Sequence, residues 1–320
     1  MKENFKKESP ILSLPSLGGG ANAPSVAGGG IAVGQDAYTT AGTYTWTCPS
    51  GVTSVSVVCI GAGGTVGTSY GGCAGSLAYK NNITVTPGQN YTIVVGATNT
   101  AMNVHNQLTS NSRGGNSSAF GTIAEGGMGG DSHSYRWATY SHPSPLPIGT
   151  NYDGGGSGGL GGTDYYSGST GYVSGGGGGA GGYSGNGGKG TYGNSGGYAG
   201  SGGGGGGGGA MNGSGGRSGG GGGTGIFGEG GNGSGGLYSN YQSNTKGGGG
   251  SSGGDGRPAP ISNLTNSASQ AYGGQYGGAS GWHYSDVSTV PVDTAAQNGA
   301  VRIIYPGTER QFPSTRTQDE

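Results

Sequence analysis

The residues of this chain that could do chemistry are three cysteines, four histidines and a few acidic residues. Cys48, Cys59 and Cys73 are spaced eleven and fourteen residues apart, which matches no common zinc-binding pattern, and no histidine lies near them in the sequence. An odd number of cysteines also argues against a disulfide framework. We predict reduced thiols that are buried on strands.

Two glycine-rich motifs match ligand-binding loops only in part. Residues 185–191 (GNGGKGT) place a glycine after Lys189 where a phosphate-binding loop needs Ser or Thr, and no apolar strand precedes them. Residues 126–134 (GGMGGDSHS) begin like a calcium-binding repeat, but His133 stands where an aliphatic residue is needed and the motif does not recur. Neither motif predicts a site.

The acidic residues do not form the paired arrangement that a glycoside hydrolase needs, because they lie in surroundings without a pattern. These residues are Asp153, Asp164, Glu229 and Asp255. The sequence also has no G-x-S-x-G motif ahead of a helical pattern. We predict no catalytic residue, no metal, no cofactor and no enzymatic activity.

Aromatic residues are clustered in residues 131–145, 237–246 and 271–286 among Ser, Asn and Gly. This mixture is typical of binding loops, since Tyr and Trp give rigid contact area and their small polar neighbours give adaptable hydrogen bonds. The candidate receptor-contact residues are Tyr135, Trp137, Tyr140, Tyr238, Tyr241, Tyr272, Tyr276, Trp282 and Tyr284. Packing of the same rings against the glycine-rich region is the alternative for any single tyrosine.

The composition excludes several classes of protein. Glycine accounts for 87 of 320 residues, whereas charged residues are only 8% and the net charge is −1. We therefore expect no nucleic-acid binding, and no apolar run is long enough to insert into a membrane as a helix. The first 20 residues lack the apolar stretch of a secretory signal, so we expect assembly in the cytoplasm of the producing cell.

Residues 36–126 have the alternation of short β-strands. Residues 43–48 (TYTWTC) place Tyr44, Trp46 and Cys48 on one face and threonines on the other. Further strands are predicted in 52–61, on both sides of a turn at Pro87-Gly88, and in 117–127. The pattern predicts an antiparallel, jelly-roll-like β-sandwich with little or no α-helix.

One strand stands alone near the C-terminus, in residues 299–305 (GAVRIIY). An isolated apolar strand is unstable, so we predict that it completes the sandwich. The predicted domains are an extended arm and linker (1–35), a discontinuous sandwich (36–126 plus 298–306), a glycine-rich insertion (127–297) and a tail (307–320).

The glycine-rich insertion has two interpretations: a disordered linker, or an ordered array of extended three-fold helices of the polyglycine II type. Such helices exchange main-chain hydrogen bonds with several neighbours, and these bonds could replace an apolar core. The 20 tyrosines of the chain favour order. Residues expected to cap the array are Tyr172, Tyr183, Tyr192, Tyr198, Ile226, Phe227 and Leu237.

The N-terminal arm combines apolar residues with two prolines that prevent a regular helix. Its candidate anchoring residues are Phe5, Ile11, Leu12, Leu14 and Leu17. Because these side chains have no core of their own, we predict that residues 1–20 insert into a neighbouring protein.

The order of these segments resembles a known family. The segments TYTWTCPSGVTSVSVVCIGAGG, GGCAGSLAYKNNITVTPGQNYTIVVG and SSAFG, then a glycine-rich region and GAVRIIYPG, resemble the glycine-rich virion structural and tail-fibre-associated proteins of tailed phages, especially cyanophages. The glycine-rich region is also similar in texture to phage adhesins that pack polyglycine II helices and display recognition loops at their tips.

This resemblance implies a non-enzymatic virion protein, either a tail-fibre or tail-tip component or an adhesin that contacts a host surface protein or glycan. A capsid decoration or head-fibre protein is the alternative, and a glycine-rich matrix protein of a cell surface is an alternative of another class. The expected partners are other virion proteins, through residues 1–20, and further copies of the chain.

Overall fold

The structure, a computed structural model, describes residues 32–66, 71–98, 113–130, 146–163, 165–167, 171–173, 175–191, 195–210, 218–239, 244–258, 271–281 and 296–314. In chain order, the strands of these residues are β1 (Gly34–Tyr38), β2 (Gly42–Thr47), β3 (Ser54–Ile60), β4 (Leu77–Thr84), β5 (Asn90–Val95), β6 (Ser117–Ala119), β7 (Thr122–Ala124), β8 (Gly149–Thr150), β9 (Gly154–Gly156), β10 (Tyr165–Ser167), β11 (Gly171–Val173) and β12 (Ala300–Tyr305). The described residues contain no α-helix, which confirms the predicted all-β class.

Two antiparallel five-stranded sheets form the sandwich. Sheet A has the order β1-β12-β3-β4-β9, and sheet B has the order β2-β5-β6-β7-β8. The predicted turn Pro87-Gly88 is present, with Gly88 at a φ of +78°, and it carries the chain from sheet A to sheet B. Strands β10 and β11 form a separate hairpin.

The C-terminal strand completes the sandwich, as predicted. Strand β12 lies between β1 and β3, with Arg302 opposite Val58 of β3. Because β3 and β12 are central strands, both of their faces are covered and every residue of β3 is buried. Their near-continuous apolar sequences follow from this position.

Sheet A has a different apolar core on each face. The first core lies between the sheets and includes Trp46, Val57, Cys59, Ile93 and Ile303. The Trp46 indole also donates a hydrogen bond of 2.8 Å to Asp36, which links β2 to β1.

The second core covers the other face of sheet A with residues from turns of the glycine-rich region. Sheet A contributes Val58, Ile60, Leu77, Ala300 and Ile304, and the rest of the chain contributes Tyr183, Ile226 and Phe312, with Phe227 and Tyr276 packed against them. The molecule therefore has three layers: sheet B, sheet A and the glycine-rich region.

The sequence analysis did not predict several of the strands. Strand β1 was not predicted, and β8 and β9 come from 149–156, inside the range assigned to the glycine-rich domain. The single strand predicted in 117–127 was wrong in detail, because it is the hairpin of β6 and β7. Phe120 and Gly121 both have positive φ, of 50° and 78°, as a two-residue type I′ turn requires.

The glycine-rich segments form the polyglycine II array that was predicted. Along 177–181, the amides of the first and fourth residues donate to 219–222, those of the second and fifth donate to 72–75, and the third donates to Gly188. This period of three, directed at three neighbours, is the signature of packed three-fold helices.

We call this region the glycine array. Its segments are 61–66, 71–76, 125–130, 157–162, 175–182, 185–191, 195–201, 204–209, 218–225, 233–237, 245–250, 253–257, 271–274, 277–281 and 296–299. Several of them continue the sandwich strands directly: 61–66 follows β3, 71–76 leads into β4, and 296–299 leads into β12. The array and sheet A are thus one hydrogen-bonded structure.

Neighbouring segments approach so closely that a side chain has no room. A Cβ atom built on Gly178 would lie 2.0 Å from the carbonyl oxygen of Gly159, and one on Gly208 would lie 2.0 Å from that of Gly219. Because these obstacles are main-chain atoms, they cannot rotate away. The run Gly202–Gly209 is not uniform, since Gly202 and Gly203 have positive φ and form a turn before the extended residues 204–209.

We expect the substitution Gly178→Ala to destabilise the protein by about 1–3 kcal/mol or more, because the new methyl group would force two segments apart. The matched control is Gly231→Ala, where an added Cβ would meet nothing within 4 Å. This control should change the free energy of unfolding by less than about 1 kcal/mol, and in the stabilising direction. Urea unfolding of both variants measures the difference, and equal stability of the two would contradict the close packing.

Candidate functional site

The glycine array has two ends, which differ in the connections they carry. At the proximal end, short turns lie at 183–184, 202–203, 226–232, 251–252 and 275–276. At the distal end, main-chain hydrogen bonds join Gly71 to Gly162, Gly177 to Gly219 and Gly209 to Thr245. The second core is built on proximal turns, which fixes this end to sheet A.

Many array segments end at the distal end. Segments run alternately away from the proximal end and back to it, as the antiparallel bonds of 204–209 with 177–180 and with 245–248 show. The chain leaves the distal end after residues 66, 98, 130, 163, 191, 210, 239, 258 and 281. The described residues that precede the intervening segments therefore lie together at one end of the array.

Most of the predicted contact residues lie in these segments. Tyr135, Trp137, Tyr140, Tyr241, Trp282 and Tyr284 lie outside the described residues, as do the arm residues Phe5, Ile11, Leu12, Leu14 and Leu17. The chain enters 131–145, 240–243 and 282–295 from the distal end. Their common starting point follows from the described residues that precede them. After 131–145 the described chain resumes beside sheet A, where the Leu146 carbonyl accepts a hydrogen bond from the Ser157 hydroxyl.

Tyr238 and Tyr272 lie at the distal end, and both are half-buried. The carbonyl oxygen of Tyr272 accepts a hydrogen bond of 2.7 Å from the Arg257 amide. The Arg257 guanidinium lies 4.7 Å from the centre of the Tyr272 ring, which is the geometry of a cation–π contact.

An ion pair lies beside this contact. Lys246 Nζ lies 2.7 Å from a carboxylate oxygen of Asp255, and the Gly249 amide donates to the other oxygen. These two hydrogen bonds lower the pKa of the Asp255 carboxyl. Both side chains are about half exposed, so the pair is screened by water and orders the surface more than it stabilises the fold.

Tyr276 is not brought together with the other candidates. It lies in the proximal turn 275–276 and packs, half-buried, against the second core. Burial raises the pKa of its phenol. The sequence did not distinguish it from Tyr272, because each of the two tyrosines is followed by a pair of glycines.

The residues expected to cap the array have separate roles. Tyr183, Ile226 and Phe227 pack into the second core, whereas Tyr198 and Leu237 are 61% and 58% exposed. The Tyr183 hydroxyl donates to the Gly225 carbonyl and accepts from the Gly228 amide, each at 3.1 Å. Tyr172 belongs to β11, and Tyr192 lies outside the described residues.

Arg302 is a structural residue that the sequence analysis did not single out. It is fully buried, it donates to the Gln35 side chain and to the Ile226 carbonyl, and it stacks 4.7 Å from the Phe227 ring centre. The only signal in the sequence was the alternation of side chains along this strand, which places Arg302 on the face opposite Val301 and Ile303.

The three cysteines are free and buried, as predicted. Their predicted position on strands was wrong for two of them, because Cys48 follows the end of β2 and Cys73 lies in an array segment. Burial raises the pKa of the Cys59 thiol to about 12 and that of the Cys73 thiol to about 11. Such thiols are protonated and poor nucleophiles. Within the described part of the chain, no three His, Cys, Asp or Glu residues are grouped as metal ligands.

We expect the three thiols to be unreactive towards a disulfide reagent at mildly alkaline pH in the folded protein and fully reactive after unfolding in urea. Because the folded thiols of Cys59 and Cys73 ionise only near pH 11–12, and unfolded thiols ionise near pH 9, folding stability should fall as the pH rises above 9. Rapid reaction of the native protein would contradict this placement.

The search for membrane-spanning helices, which covered the described residues, identified none. No protein-family model matches the chain, and no curated protein matches it either.

Proposed function

We propose that this chain is a non-enzymatic structural protein of a tailed-phage virion, located at a tail fibre or tail tip, where it contacts the host surface. The observation that carries the proposal is the one-ended arrangement of the glycine array. An array whose segments end together at one end suits the display of recognition loops, and six of the nine residues predicted for contact belong to segments that the chain enters from that end.

The position of the chain's first described residues supports the same arrangement. In sheet A, Gly34 pairs with Tyr305, whereas Ala300 pairs with Ile60, next to which the array begins. The first described residues, 32–34, therefore lie at the end of β1 that is remote from the array. In the proposal, residues 1–20 bind a neighbouring virion protein while the distal end faces outwards.

The chemistry of the distal end fits a host protein or glycan as ligand. Tyr, Trp, Ser and Asn supply ring faces and hydrogen bonds, which suit sugars and uncharged protein surfaces. Among the described residues there, the cations Lys246 and Arg257 are engaged by Asp255 and Tyr272. Recognition in this proposal therefore depends on aromatic contact area more than on charge.

Immunogold electron microscopy of the virions, with antibody against this chain, should label the tail or fibre tip. Virions carrying Tyr135→Ala, Trp137→Ala and Tyr140→Ala together should adsorb to host cells at least about tenfold more slowly, since clustered aromatic residues dominate binding energy. Tyr152→Ala, which removes an exposed ring between β8 and β9, is the matched control and should adsorb normally.

Label over the head would instead identify a capsid decoration or head-fibre protein, and label on the surface of uninfected cells would identify a matrix protein. New reducing ends after incubation with host polysaccharide would contradict the non-enzymatic assignment.

Deletion of residues 1–20 should abolish incorporation into virions without unfolding the remaining chain, because the sandwich begins at Gly34. Immunoblots of purified virions measure incorporation, and thermal unfolding of the purified variant measures the fold. Incorporation at the wild-type level would exclude the arm as the anchor.

A further inference from the structure

Among the residues that the structure describes, one side of the glycine array has fewer neighbours than the interior. Segments 195–201 and 233–237 lie side by side, and the amides of Gly197 and Gly200 donate to the carbonyls of Gly236 and Gly233. We call the exposed side of this pair the outer face.

The main-chain groups on the outer face are open in a regular row. In the described residues, Gly196, Ala199 and Gly235 neither donate nor accept a main-chain hydrogen bond. Interior residues differ, since Gly178 donates to Gly72 and accepts from Ala279. In a three-fold helix the direction of the main-chain N–H and C=O groups repeats every three residues, so these groups of Gly196 and Ala199 point the same way. The outer face therefore offers the same donors and acceptors that join neighbouring segments in the interior.

The side chains on the outer face do not protect it. Proteins usually guard an open row of main-chain groups with charged residues or proline, but 195–201 and 231–237 contain no Asp, Glu, Lys, Arg or Pro. The face instead carries Tyr198 and Leu237, two exposed large hydrophobic residues, at 61% and 58% exposure. An uncharged apolar surface beside open amides is typical of an interface.

The packing of the array restricts what could bind there. The two segments of the face lie too close together for a side chain between them, since a Cβ on Gly235 would lie 2.1 Å from the Gly197 carbonyl oxygen. A chain that joined the row at the same spacing would need glycine at its contacts and an extended three-fold backbone. Gly196 and Gly235 of another copy's outer face have both properties, and segments 195–201 and 233–237 carry no charged residue that would oppose the contact.

We infer that the outer face, formed by 195–201 and 231–237, is a docking surface for the same face of a second copy of this chain. A two-fold axis would generate such an interface from one surface. Both relative directions are compatible with the array, because 187–190 runs parallel to its neighbour 157–160 and 197–200 runs antiparallel to 233–236. The inference goes beyond the proposed function and assigns a surface to the contact with further copies that the sequence analysis expects.

Light scattering coupled to size exclusion, over a dilution series of the purified full chain, tests the inference. We expect a mass of twice 30.7 kDa at the highest concentrations. Tyr198→Lys and Leu237→Lys should each shift the protein to a monomer, because a charge at the face would be buried without a partner. Tyr152→Lys, on an exposed ring outside the face, should keep the dimer.

Amide hydrogen exchange gives a second measurement that does not depend on the variants. In the dimer, the amides of Gly196, Ala199 and Gly235 should exchange more slowly than in the dilute monomer, while the interior amide of Gly178 should be protected in both. A monomeric wild type, a dimer that persists in both lysine variants, or unchanged exchange at Ala199 would each overturn the inference. Because the measurements use purified protein, they are independent of where the chain lies in a virion.

Discussion

The structure depends on main-chain hydrogen bonding between segments that lie too close together for side chains. Where an ordinary residue would place its Cβ, the array has a carbonyl oxygen of the next segment, at about 2 Å for Gly178 and Gly208. Ordering glycine costs more backbone entropy than ordering any other residue. Hydrogen bonds from the N–H and C=O groups of interior residues offset this cost. These bonds form only if the neighbouring segments are already in place.

The β-sandwich supplies that starting framework. Strands β3, β4 and β12 continue directly into array segments, so the register of sheet A is transmitted to the first layer of the array. The second core then fixes the proximal turns to the sheet through Tyr183, Ile226 and Phe312. Apolar burial is concentrated at the turns, and hydrogen bonding extends the structure between them. The buried Arg302, which joins Gln35, Ile226 and Phe227, connects the layers.

The distal end of the array is separate from the apolar cores, and this separation bears on function. In a conventional sandwich, loops of both ends are anchored by a common core, and changing one affects packing. In this chain, the distal connections begin where main-chain bonds already hold each segment, remote from both apolar cores. Such an arrangement suits a surface that must vary while its support remains constant.

The sequence by itself determined the strands with clear alternation and the chemistry of the array. Trp46 on β2, the two faces of β3 and the returning strand β12 follow from side-chain periodicity, because each side chain reports the face it occupies. The glycine content predicted polyglycine II packing, because only a residue without a side chain permits segments to lie so close together. The tertiary structure alone decided which segments are neighbours, why β8 and β9 join the sandwich, that Tyr276 is proximal and Tyr272 distal, and that 195–201 lies at the outer face. These features depend on main-chain hydrogen bonds between residues far apart in the chain, and such bonds leave no pattern in a glycine sequence.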